Sequence, residues 1–270
     1  MNKIIYFIKR IPHRIWRVVS IIRTFENWPI WLQERYNLFH NYNKGDELIV
    51  HLRSGIKFYF KFRNGEFGPI DEIWCGKVYM RHYQIKDGDV VIDIGANIGG
   101  FSIFAAMEAK GVKVFSYEPT PETFSTLIKN IRINNLENFI YPFQLGVAKT
   151  VGKGTLFLRP DGCDTSNTLI NRNNLFIDKN NSLCIQTITL KDIFKNNNLE
   201  RCDFLKIDAE GAEYEILFNT PPDYLQNIKY IALEYHRGYE EIVFFLKRHN
   251  FSVWQKPTSK TEGFIWAKRI

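Results

Sequence analysis

A glycine-rich segment after a run of apolar residues carries the clearest chemical signal in the sequence. Residues 91–100 read Val-Ile-Asp-Ile-Gly-Ala-Asn-Ile-Gly-Gly, so Asp93 ends a predicted strand and Gly95 begins the turn after it. Glycines at such a turn remove the Cβ atoms that would keep a ligand away from the backbone. The spacing is not G-x-G-x-x-G, and Asp93 would repel a pyrophosphate. A carboxylate there suits a cofactor with a cationic ammonium group, such as the amino-acid end of S-adenosylmethionine. The alternative is a tight turn without a ligand.

A second acid stands where nucleoside-binding α/β domains hold a ribose. Glu118 ends the next predicted strand, in Tyr-Glu-Pro, and lies 23 residues after Gly95. A carboxylate can accept the protons of both ribose hydroxyls, so it is well suited to that position. The alternative is that Glu118 is an ordinary surface acid.

Acids and a histidine stand at the ends of two later apolar runs. Asp208 and Glu210 follow the first run, and Glu234 and His236 end the second. Because ligands bind at the carboxyl ends of parallel strands, these side chains should face the same crevice as the glycine-rich turn. Acids near a histidine hold its tautomer and move its pKa toward neutrality, which suits acid–base chemistry. A structural role for the histidine is the alternative, and Glu213 could simply favour a helix N-terminus.

Strands and helices alternate regularly from residue 89 onward. The predicted strands are 90–94, 113–117, 139–147, 202–207 and 228–234, and the predicted helices are 97–109, 121–134, 212–218 and 239–249. Regular alternation of this kind predicts an α/β fold with a doubly wound parallel sheet. Two short strands, 251–255 and 264–268, then close the chain as a hairpin. Such a hairpin is not usual in a dinucleotide-binding domain.

Three regions are predicted along the chain. They are a basic amphipathic helical segment over 1–45, an accessory hairpin and lead-in over 46–88, and the main domain over 89–270. Residues 47–62 alternate polar and apolar around Ser54-Gly55, as a β-hairpin does. The stretch 149–181 is long for a connection and rich in asparagine and glycine, which favours a lid or substrate loop, with a plain surface excursion as the alternative.

Positive charge is concentrated at the start of the chain. Six of the 36 lysines and arginines lie in residues 1–23, which contain no acid, and the remainder holds 30 basic against 29 acidic side chains. Pro12 is expected to begin a helix there. Its apolar stripe consists of Ile15, Trp16, Val18, Val19 and Ile22, and its basic face of Arg10, Arg14 and Arg17. Such a helix can lie in an anionic membrane surface; contact with a second subunit and packing on the protein's own core are the alternatives.

Membrane-spanning and secreted classes are disfavoured. A spanning helix needs roughly 18 consecutive apolar residues, whereas the apolar run 4–8 is cut off by Lys9 and Arg10. That run also lacks the small-residue cleavage site of a secretory signal. We therefore expect a cytoplasmic protein, with the cytoplasmic membrane surface as an alternative.

The composition is that of a folded protein with a nearly neutral main domain. Hydrophobic residues make up 45% and charged residues 24% of the chain, which excludes general disorder. Because a nucleic-acid enzyme more often spreads lysine and arginine over its working face, no nucleic-acid partner is expected. The cysteines show no C-x-x-C spacing and are expected to be buried free thiols in a reducing compartment. They are Cys75, Cys163, Cys184 and Cys202.

Six motifs, taken jointly and in order, resemble one protein family. They are VIDIGANIGGFS, YEPTPETF, IRINNLEN, ITLKDIF, FLKIDAEGAEYEIL and ALEYH. Over about residues 71–270 the sequence resembles the FkbM family of S-adenosylmethionine-dependent methyltransferases. This resemblance implies a Rossmann-like, seven-stranded class I methyltransferase sheet with a terminal antiparallel hairpin. It also implies O-methylation of a hydroxyl on a glycan, a small molecule or a lipid-linked acceptor.

The resemblance also implies roles for individual residues. Asp93, Gly95, Asn97 and Gly99 would line the methionine part of the cofactor, with Glu118 at its ribose. The predicted cofactor-binding set is completed by Ala96, Pro119, Gln144 and Asp208. Gln144 stands where many class I methyltransferases place an acid that reads the adenine amino group. The fourth strand lacks the Asn/Asp-Pro-Pro-aromatic motif of enzymes that methylate base amino groups, which argues against a nucleic-acid acceptor.

The expected reaction is in-line attack of an acceptor hydroxyl on the sulfonium methyl. Since a hydroxyl is a poor nucleophile at neutral pH, a positioned base is required. His236 is predicted as that base and Glu234 as the residue that orients it; Asp208 is the second candidate base. Glu210 is expected to hold substrate hydroxyls. No metal ligand is assigned, although a divalent ion bridging Asp208, Glu234 and His236 is an alternative. A nicotinamide-dependent oxidoreductase and a non-catalytic cofactor-binding module are the rival functions.

Overall fold

The computed structural model describes residues 15–36, 42–62, 67–158, 168–169 and 182–270. The chain forms two compact units, Met1–Lys77 and Val78–Ile270. The predicted helix start at Pro12, the basic residues Arg10 and Arg14, and Cys163 lie outside the described residues. The predicted region boundaries after residues 45 and 88 stay predictions.

The described part of the first unit contains three helices and a β-hairpin. Its elements are α1 (described over residues 15–24), α2 (Pro29–Tyr36), β1 (Glu47–His51), β2 (Lys57–Lys61) and α3 (Phe67–Trp74). Strand β1 pairs antiparallel with β2, with Glu47 opposite Lys61. This pairing confirms the hairpin predicted around Ser54-Gly55. Because side chains alternate along a strand, Val50 and Phe58 point into the core of the unit.

Helix α1 is fixed to the first unit along one face. Ile21 and, just after the helix, Phe25 are fully buried. Arg17 forms an ion pair with Asp71 of α3, and the indole N–H of Trp31 donates to the same carboxylate at 2.9 Å. Within the described residues, no helix combines the length and the apolar character that a bilayer-spanning helix requires.

A seven-stranded, mostly parallel sheet forms the centre of the second unit. Its strands are β3 (Val90–Ile94), β4 (Lys113–Tyr117), β5 (Ile140–Phe143), β9 (Phe204–Ile207), β10 (Tyr230–Tyr235), β11 (Phe251–Pro257) and β12 (Gly263–Arg269). They follow the order β11-β12-β10-β9-β3-β4-β5, and β12 is antiparallel to both of its neighbours. The predicted sheet with its terminal hairpin is confirmed. The chain leaves β3 toward β4 on one side and returns to β9 on the other, which makes the carboxyl end of β3 a switch point where ligands bind in such sheets.

Helices cover the strands of this sheet and connect them. They are α4 (Gly100–Glu108), α5 (Pro121–Ile133), α6 (Leu190–Asn196), α7 (Glu213–Phe218), α8 (Pro222–Leu225) and α9 (Glu240–Arg248). Helix α4 begins three residues later than predicted because Asn97 and Gly99 have left-handed backbone angles, with φ of 52° and 95°. Helix α5 begins at Pro121, whose missing N–H is not needed in a first turn.

The predicted third strand, 139–147, is wrong in its second half. Strand β5 ends at Phe143, and the following strand β6 (Gly146–Val147) belongs to a separate three-stranded sheet. The mostly apolar sequence of residues 139–147 gives no sign of this change of sheet. A Cβ on Gly146 would lie 2.7 Å from the Cδ1 atom of Ile185, so a larger residue there would have to displace the end of that side chain.

The second sheet also corrects the predicted irregular stretch 149–181. Strand β7 (Gly152–Phe157) lies inside that stretch and pairs with β8 (Ser182–Ile188), in the order β6-β8-β7. Its glycines and polar residues masked the strand pattern, since glycine is unusual inside strands. Cys184 of β8 is exposed, so the prediction of a buried thiol is wrong there, whereas Cys202 is buried.

Candidate active site

The glycine-rich turn joins the end of β3 to the start of α4. The N–H groups of Gly95 and Ala96 both donate to the carbonyl of Tyr117 at the end of β4, each at 3.0 Å. Gly95 has φ 73°, and a Cβ there would lie 1.8 Å from the carbonyl oxygen of Asp208. The sequence predicts that this glycine makes room for a ligand. In the structure, the space beside its Cα is occupied by the carbonyl oxygen of Asp208. A Cβ on Gly99 would similarly press against Leu127 of α5, at 2.7 Å.

Asp93 lies beneath the turn, fully buried in the strand. It accepts a hydrogen bond from the Ser102 hydroxyl at 2.6 Å and pairs with the ammonium of Lys206 at 3.2 Å. A cation from the chain itself therefore balances the charge of Asp93. Direct contact of Asp93 with the ammonium of a cofactor stays a prediction.

Lys206 is a site residue that the sequence motifs do not single out. It lies in the middle of β9 with 3% of its surface exposed, and its Nζ donates to the carbonyl of Gly95 at 2.7 Å. Burial by itself would lower the pKa of Lys206, but the carboxylates of Asp93 and Asp208 outweigh that effect and raise it. The signal that could have identified it is a lysine inside an otherwise apolar strand, because an unpaired charge is rarely buried.

Glu118 is fixed against the same turn. Its Oε2 accepts the Asn97 N–H at 3.0 Å, and its Oε1 accepts the Thr120 N–H at 2.9 Å. Burial raises the pKa of Glu118, although these N–H donors act in the opposite direction. Each carboxylate oxygen has a second lone pair, so the group can still accept hydrogen bonds from two hydroxyls.

The remaining predicted cofactor residues lie on the same edge of the sheet. Ala96 is buried within the turn, Pro119 is half-buried after β4, and Gln144 is exposed after β5. Since β3, β4 and β5 are parallel neighbours, their carboxyl ends meet at one edge. The residues thus form the edge that a nucleoside cofactor would need, while each contact with it stays a prediction.

The predicted catalytic residues come together at the ends of β9 and β10. One ligand-type atom from each of Asp208, Glu234 and His236 lies within 4.8 Å of the other two. The His236 Nε2 lies 3.5 Å from Glu210 Oε2, and the hydroxyl of Tyr79 donates to Asp208 at 3.1 Å. This edge is continuous with the glycine-rich turn, because Asp208 is the residue whose backbone contacts Gly95.

Glu213 is the carboxylate that fixes the imidazole of His236. It is fully buried, and its Oε1 lies 3.1 Å from His236 Nδ1 while also accepting the N–H groups of Ala209 and Gly211. The sequence pattern favours Glu234 in the orienting role and gives Glu213 only the support of a helix N-terminus. The usable signal is its position three residues after Glu210 and two after Gly211, where a side chain can fold back onto the turn.

The electrostatics of His236 oppose a role as proton acceptor in the free protein. Burial by itself would lower the pKa of His236, but Glu213 and Glu210 outweigh it and raise the pKa to about 10. The cause lies in the geometry, because both ring nitrogens face carboxylate oxygens. This is the arrangement that a doubly protonated ring prefers. A ring that already holds two protons cannot accept a third.

Glu210 adopts a backbone conformation that few residues other than glycine favour. Its φ is 50°, and its carbonyl accepts a hydrogen bond of 2.6 Å from the hydroxyl of Thr168. Left-handed backbone of this kind costs on the order of 1 kcal/mol and persists where the surroundings hold it. The carboxylate of the same residue lies beside His236, with its Oε2 at 3.5 Å from Nε2.

The sequence is similar to those of known methyltransferases. The sequence model described as the methyltransferase FkbM domain matches residues 93–253. The chain is 26% identical over 210 residues to the 31-O-demethyl-FK506 methyltransferase FkbM of Streptomyces tacrolimicus, covering 67% of this chain and 80% of the relative. It is 22% identical over 188 residues to the hexuronic acid methyltransferase AglP of Haloferax volcanii, covering 69% and 73%.

A solved structure of a methyltransferase FkbM from Methylobacillus flagellatus is also similar to this chain. It aligns with a TM-score of 0.48 at 14% identity, over 74% of this chain and 52% of that one. The sequence match spans more than half of the chain and contains every predicted site residue. The protein therefore belongs to the FkbM methyltransferase family.

Proposed function

We propose that this methyltransferase transfers the methyl group of S-adenosylmethionine to a hydroxyl of a glycan, a small molecule or a lipid-linked acceptor. The observation that carries the proposal is the close approach of two groups of residues. Gly95 of the glycine-rich turn packs directly on the backbone of Asp208, so the proposed cofactor edge adjoins the acid–histidine cluster. The names of two relatives, a 31-O-demethyl-FK506 methyltransferase and a hexuronic acid methyltransferase, support acceptors of this kind.

The cofactor half of the site fits a nucleoside with an amino-acid tail. Glu118 accepts hydrogen bonds from the two ribose hydroxyls, and the backbone between Gly95 and Gly99 faces the methionine part. Lys206 holds the turn in shape through the Gly95 carbonyl. Gln144 is the candidate that hydrogen-bonds the adenine. When bound, S-adenosylmethionine supplies a methyl group on a positively charged sulfur.

The acceptor half of the site must remove a proton from a hydroxyl. We assign this step to Glu210, whose carboxylate lies 3.5 Å from the imidazole of His236. The acceptor O–H bond breaks toward that carboxylate, the oxygen bonds to the methyl carbon, and the carbon–sulfur bond breaks with its electron pair left on sulfur. Asp208 is the alternative acceptor of the proton. Positioned base catalysis typically contributes about 10²- to 10⁴-fold in rate.

The direct test is methyl transfer from radiolabelled S-adenosylmethionine to glycan, lipid and small-molecule extracts. We expect label in a hydroxyl-bearing product and a fall in kcat of roughly 10²-fold or more in Glu210→Gln, with unchanged affinity for S-adenosylhomocysteine. Glu215→Gln, on the exposed side of α7, is the matched control and should retain activity. Transfer of label to RNA instead of these acceptors, or full activity in Glu210→Gln, contradicts the proposal. A non-catalytic module would bind S-adenosylhomocysteine and transfer no methyl group.

We also propose that the exposed face of α1 attaches the protein to an anionic membrane surface. Trp16 is 71% and Ile15 is 60% exposed, and Val19 and Ile22 lie exposed on the same helix. This exposure disfavours packing of the stripe on the protein's own core. The surrounding segment, residues 1–23, carries six basic side chains and no acid, and one of the six, Arg17, is already paired with Asp71. An apolar stripe flanked by such charge favours lipid headgroups over a neutral subunit surface, since each basic residue near an anionic bilayer contributes about 1 kcal/mol.

A further inference from the structure

The acid–histidine cluster has the composition and spacing of a metal site. Asp208 follows β9, Glu234 lies near the end of β10, and His236 directly follows β10. Strand β10 runs parallel to β9 with Leu233 opposite Ile207. One ligand-type atom of each of the three residues lies within 4.8 Å of the others. Metal–oxygen and metal–nitrogen bonds are about 2.0–2.2 Å long, so atoms bound to one ion lie at most about 4.4 Å apart. Closure of the cluster by a few tenths of an ångström therefore brings all three side chains to one cation.

The imidazole of His236 is oriented as a metal-binding histidine is. Its Nδ1 faces the buried carboxylate of Glu213, at 3.1 Å. A ligating histidine almost always donates its other ring N–H to a carboxylate, a carbonyl or a water in this way. The hydrogen bond fixes the ring and leaves Nε2 directed to the side where Glu210 lies.

A second observation is a buried carboxylate oxygen beside the imidazole. The Oε2 atom of Glu213 is buried and has no hydrogen-bond partner among the residues that the structure describes. Four carboxylates, those of Asp208, Glu210, Glu213 and Glu234, lie near a single imidazole. Lys206, which lies beneath them, is shared between Asp93 and Asp208. Grouped carboxylates in a partly buried place are stabilised by a cation, because their mutual repulsion is poorly screened there.

We propose that Asp208, Glu234 and His236 bind a divalent metal ion of the Mn²⁺ type. Two carboxylates and one imidazole form a mixed oxygen–nitrogen set, which suits Mn²⁺ better than the all-oxygen surroundings that Mg²⁺ and Ca²⁺ prefer. The ion replaces the proton on His236 Nε2. Coordination positions not filled by the protein remain for water and for the acceptor.

The role of the ion follows from the proposed O-methylation, on which this part of the inference rests. An acceptor hydroxyl bound to the ion loses its proton more readily, because a Lewis acid stabilises the resulting alkoxide. The proton passes to Glu210, the oxygen forms the bond to the methyl carbon, and the electron pair of the broken carbon–sulfur bond stays on sulfur. The ion takes no part in electron transfer, so no oxidant or reductant is required.

The test measures metal binding directly, without the cofactor. Chelator-treated full-length protein is titrated with Mn²⁺ and free ion is followed by electron paramagnetic resonance. We expect one bound ion, with affinity at least tenfold weaker in Glu234→Gln and in Asp208→Asn. His249→Gln is the matched control, since His249 lies at the end of α9 and contacts a backbone carbonyl; it should bind Mn²⁺ as the parent does. Unchanged melting temperatures establish that the variants are folded.

Two outcomes separate this inference from the proposed function. Absence of Mn²⁺ binding, or equal binding by the parent, Glu234→Gln and Asp208→Asn, overturns the metal site even if the chelated protein methylates hydroxyls. Conversely, specific Mn²⁺ binding in a protein that methylates no hydroxyl acceptor supports the site and contradicts the O-methylation. If Glu234→Gln is unfolded, Asp208→Asn alone decides, because its backbone contact with Gly95 does not involve the side chain.

Discussion

At the scale of single residues, the site depends on a close contact between two backbones. Gly95 and Asp208 end neighbouring strands, and the space beside the Gly95 Cα is filled by the Asp208 carbonyl. Glycine is required there for two reasons, the positive φ and the contact. These two reasons can be separated because Gly88 has nearly the same φ, 74°, and a methyl group on its Cα would meet nothing within 4 Å.

Gly95→Ala should therefore destabilise the protein far more than Gly88→Ala. Both variants place an alanine in left-handed backbone, which costs about 1–2 kcal/mol. Only Gly95→Ala must also move the Asp208 carbonyl, so we expect a total loss of roughly 3 kcal/mol or more and weak binding of S-adenosylhomocysteine. Urea denaturation of both variants measures the difference. Equal losses of stability would show that the contact has no energetic weight.

Glu118 offers a second test at this scale. In Glu118→Ala the Asn97 and Thr120 N–H groups lose their acceptor, and a bound ribose would lose its hydrogen bonds. Charge-assisted hydrogen bonds contribute about 1.5–3 kcal/mol, so affinity for S-adenosylhomocysteine should fall roughly 10- to 100-fold by calorimetry. Glu137→Ala, an exposed acid beyond α5, is the control and should bind normally. Undiminished binding by Glu118→Ala would remove the basis for the ribose assignment.

At the scale of elements, polar side chains tie parallel strands together at both ends. Lys206 of β9 pairs with Asp93 of β3 near the carboxyl end. Asp203, just before β9, accepts the Val90 N–H at the opposite end of β3, at 3.0 Å. The Lys206–Asp93 ion pair lies next to the site, and the Asp203–Val90 hydrogen bond lies away from it. Substitutions in the two contacts should therefore affect stability and ligand binding differently.

Lys206→Met should cost about 3–5 kcal/mol, because it leaves the charge of Asp93 buried and unpaired. Adding Asp93→Asn removes that charge while keeping an acceptor for Ser102. The double variant should thus be less destabilised than the sum of the single variants, with a coupling of roughly 1–3 kcal/mol in a denaturation cycle. Strict additivity would mean that the ion pair contributes nothing as a pair.

Asp203 should give a pH-dependent contribution to stability. Burial by itself would raise the pKa of Asp203, but the Val90 N–H and the guanidinium of Arg201 outweigh it and hold the pKa below its usual range, with Lys229 acting in the same direction. The carboxylate therefore stabilises the fold at pH values above the unfolded pKa of about 3.9, and this contribution is lost as the pH falls through the lower folded pKa.

The stability difference between the parent and Asp203→Asn should accordingly be largest near pH 7 and shrink below about pH 4. Denaturation curves between pH 3 and pH 7 measure it. A difference that stays constant over this range would contradict the assignment. Cofactor affinity of the variant should remain that of the parent, since Asp203 lies at the amino end of the strands.

At the scale of the whole molecule, charge and exposed apolar surface are unevenly distributed. Six of the basic residues lie in the first 23 positions, and the exposed stripe of α1 lies within them. Deleting the segment is a poor test of membrane binding, because Ile21 of the same helix is fully buried in the first unit. Substitution of exposed side chains avoids that damage.

Trp16→Ser/Val19→Ser should release the protein from vesicles rich in phosphatidylglycerol. Removing two large apolar groups from the bilayer interface costs about 1.5–3 kcal/mol each at most, so partitioning should fall tenfold or more. Phe244→Ser is the matched control, since Phe244 is 64% exposed on α9 of the second unit. Sedimentation with vesicles measures the effect. A parent protein that stays in the supernatant would contradict the proposal, and a dimer that the double variant dissociates would assign the stripe to a subunit contact.

The sequence alone determined the alternation of the parallel strands with helices α4, α5, α7 and α9, and the terminal hairpin of the main sheet. Those features depend on apolar periodicity and turn residues within about ten neighbouring positions, as in Val90–Ile94 and Lys113–Tyr117, where prediction and structure agree. Strand β7 was not predicted, because glycines and polar residues interrupt its alternating pattern. The motif set also identified the family, since its spacing is a local property of the chain.

Only the tertiary structure decided which of these residues touch. Lys206 and Gly95 are 111 positions apart, and Glu213 and His236 are 23 apart. No local pattern encodes such pairs, because they arise when strands β3, β9 and β10 pair side by side and bring distant carboxyl ends to one edge. The packed sheet also buries Lys206 beside Asp93 and places two carboxylates beside His236. The pKa values of Lys206 and His236 depend on this burial and on these neighbours.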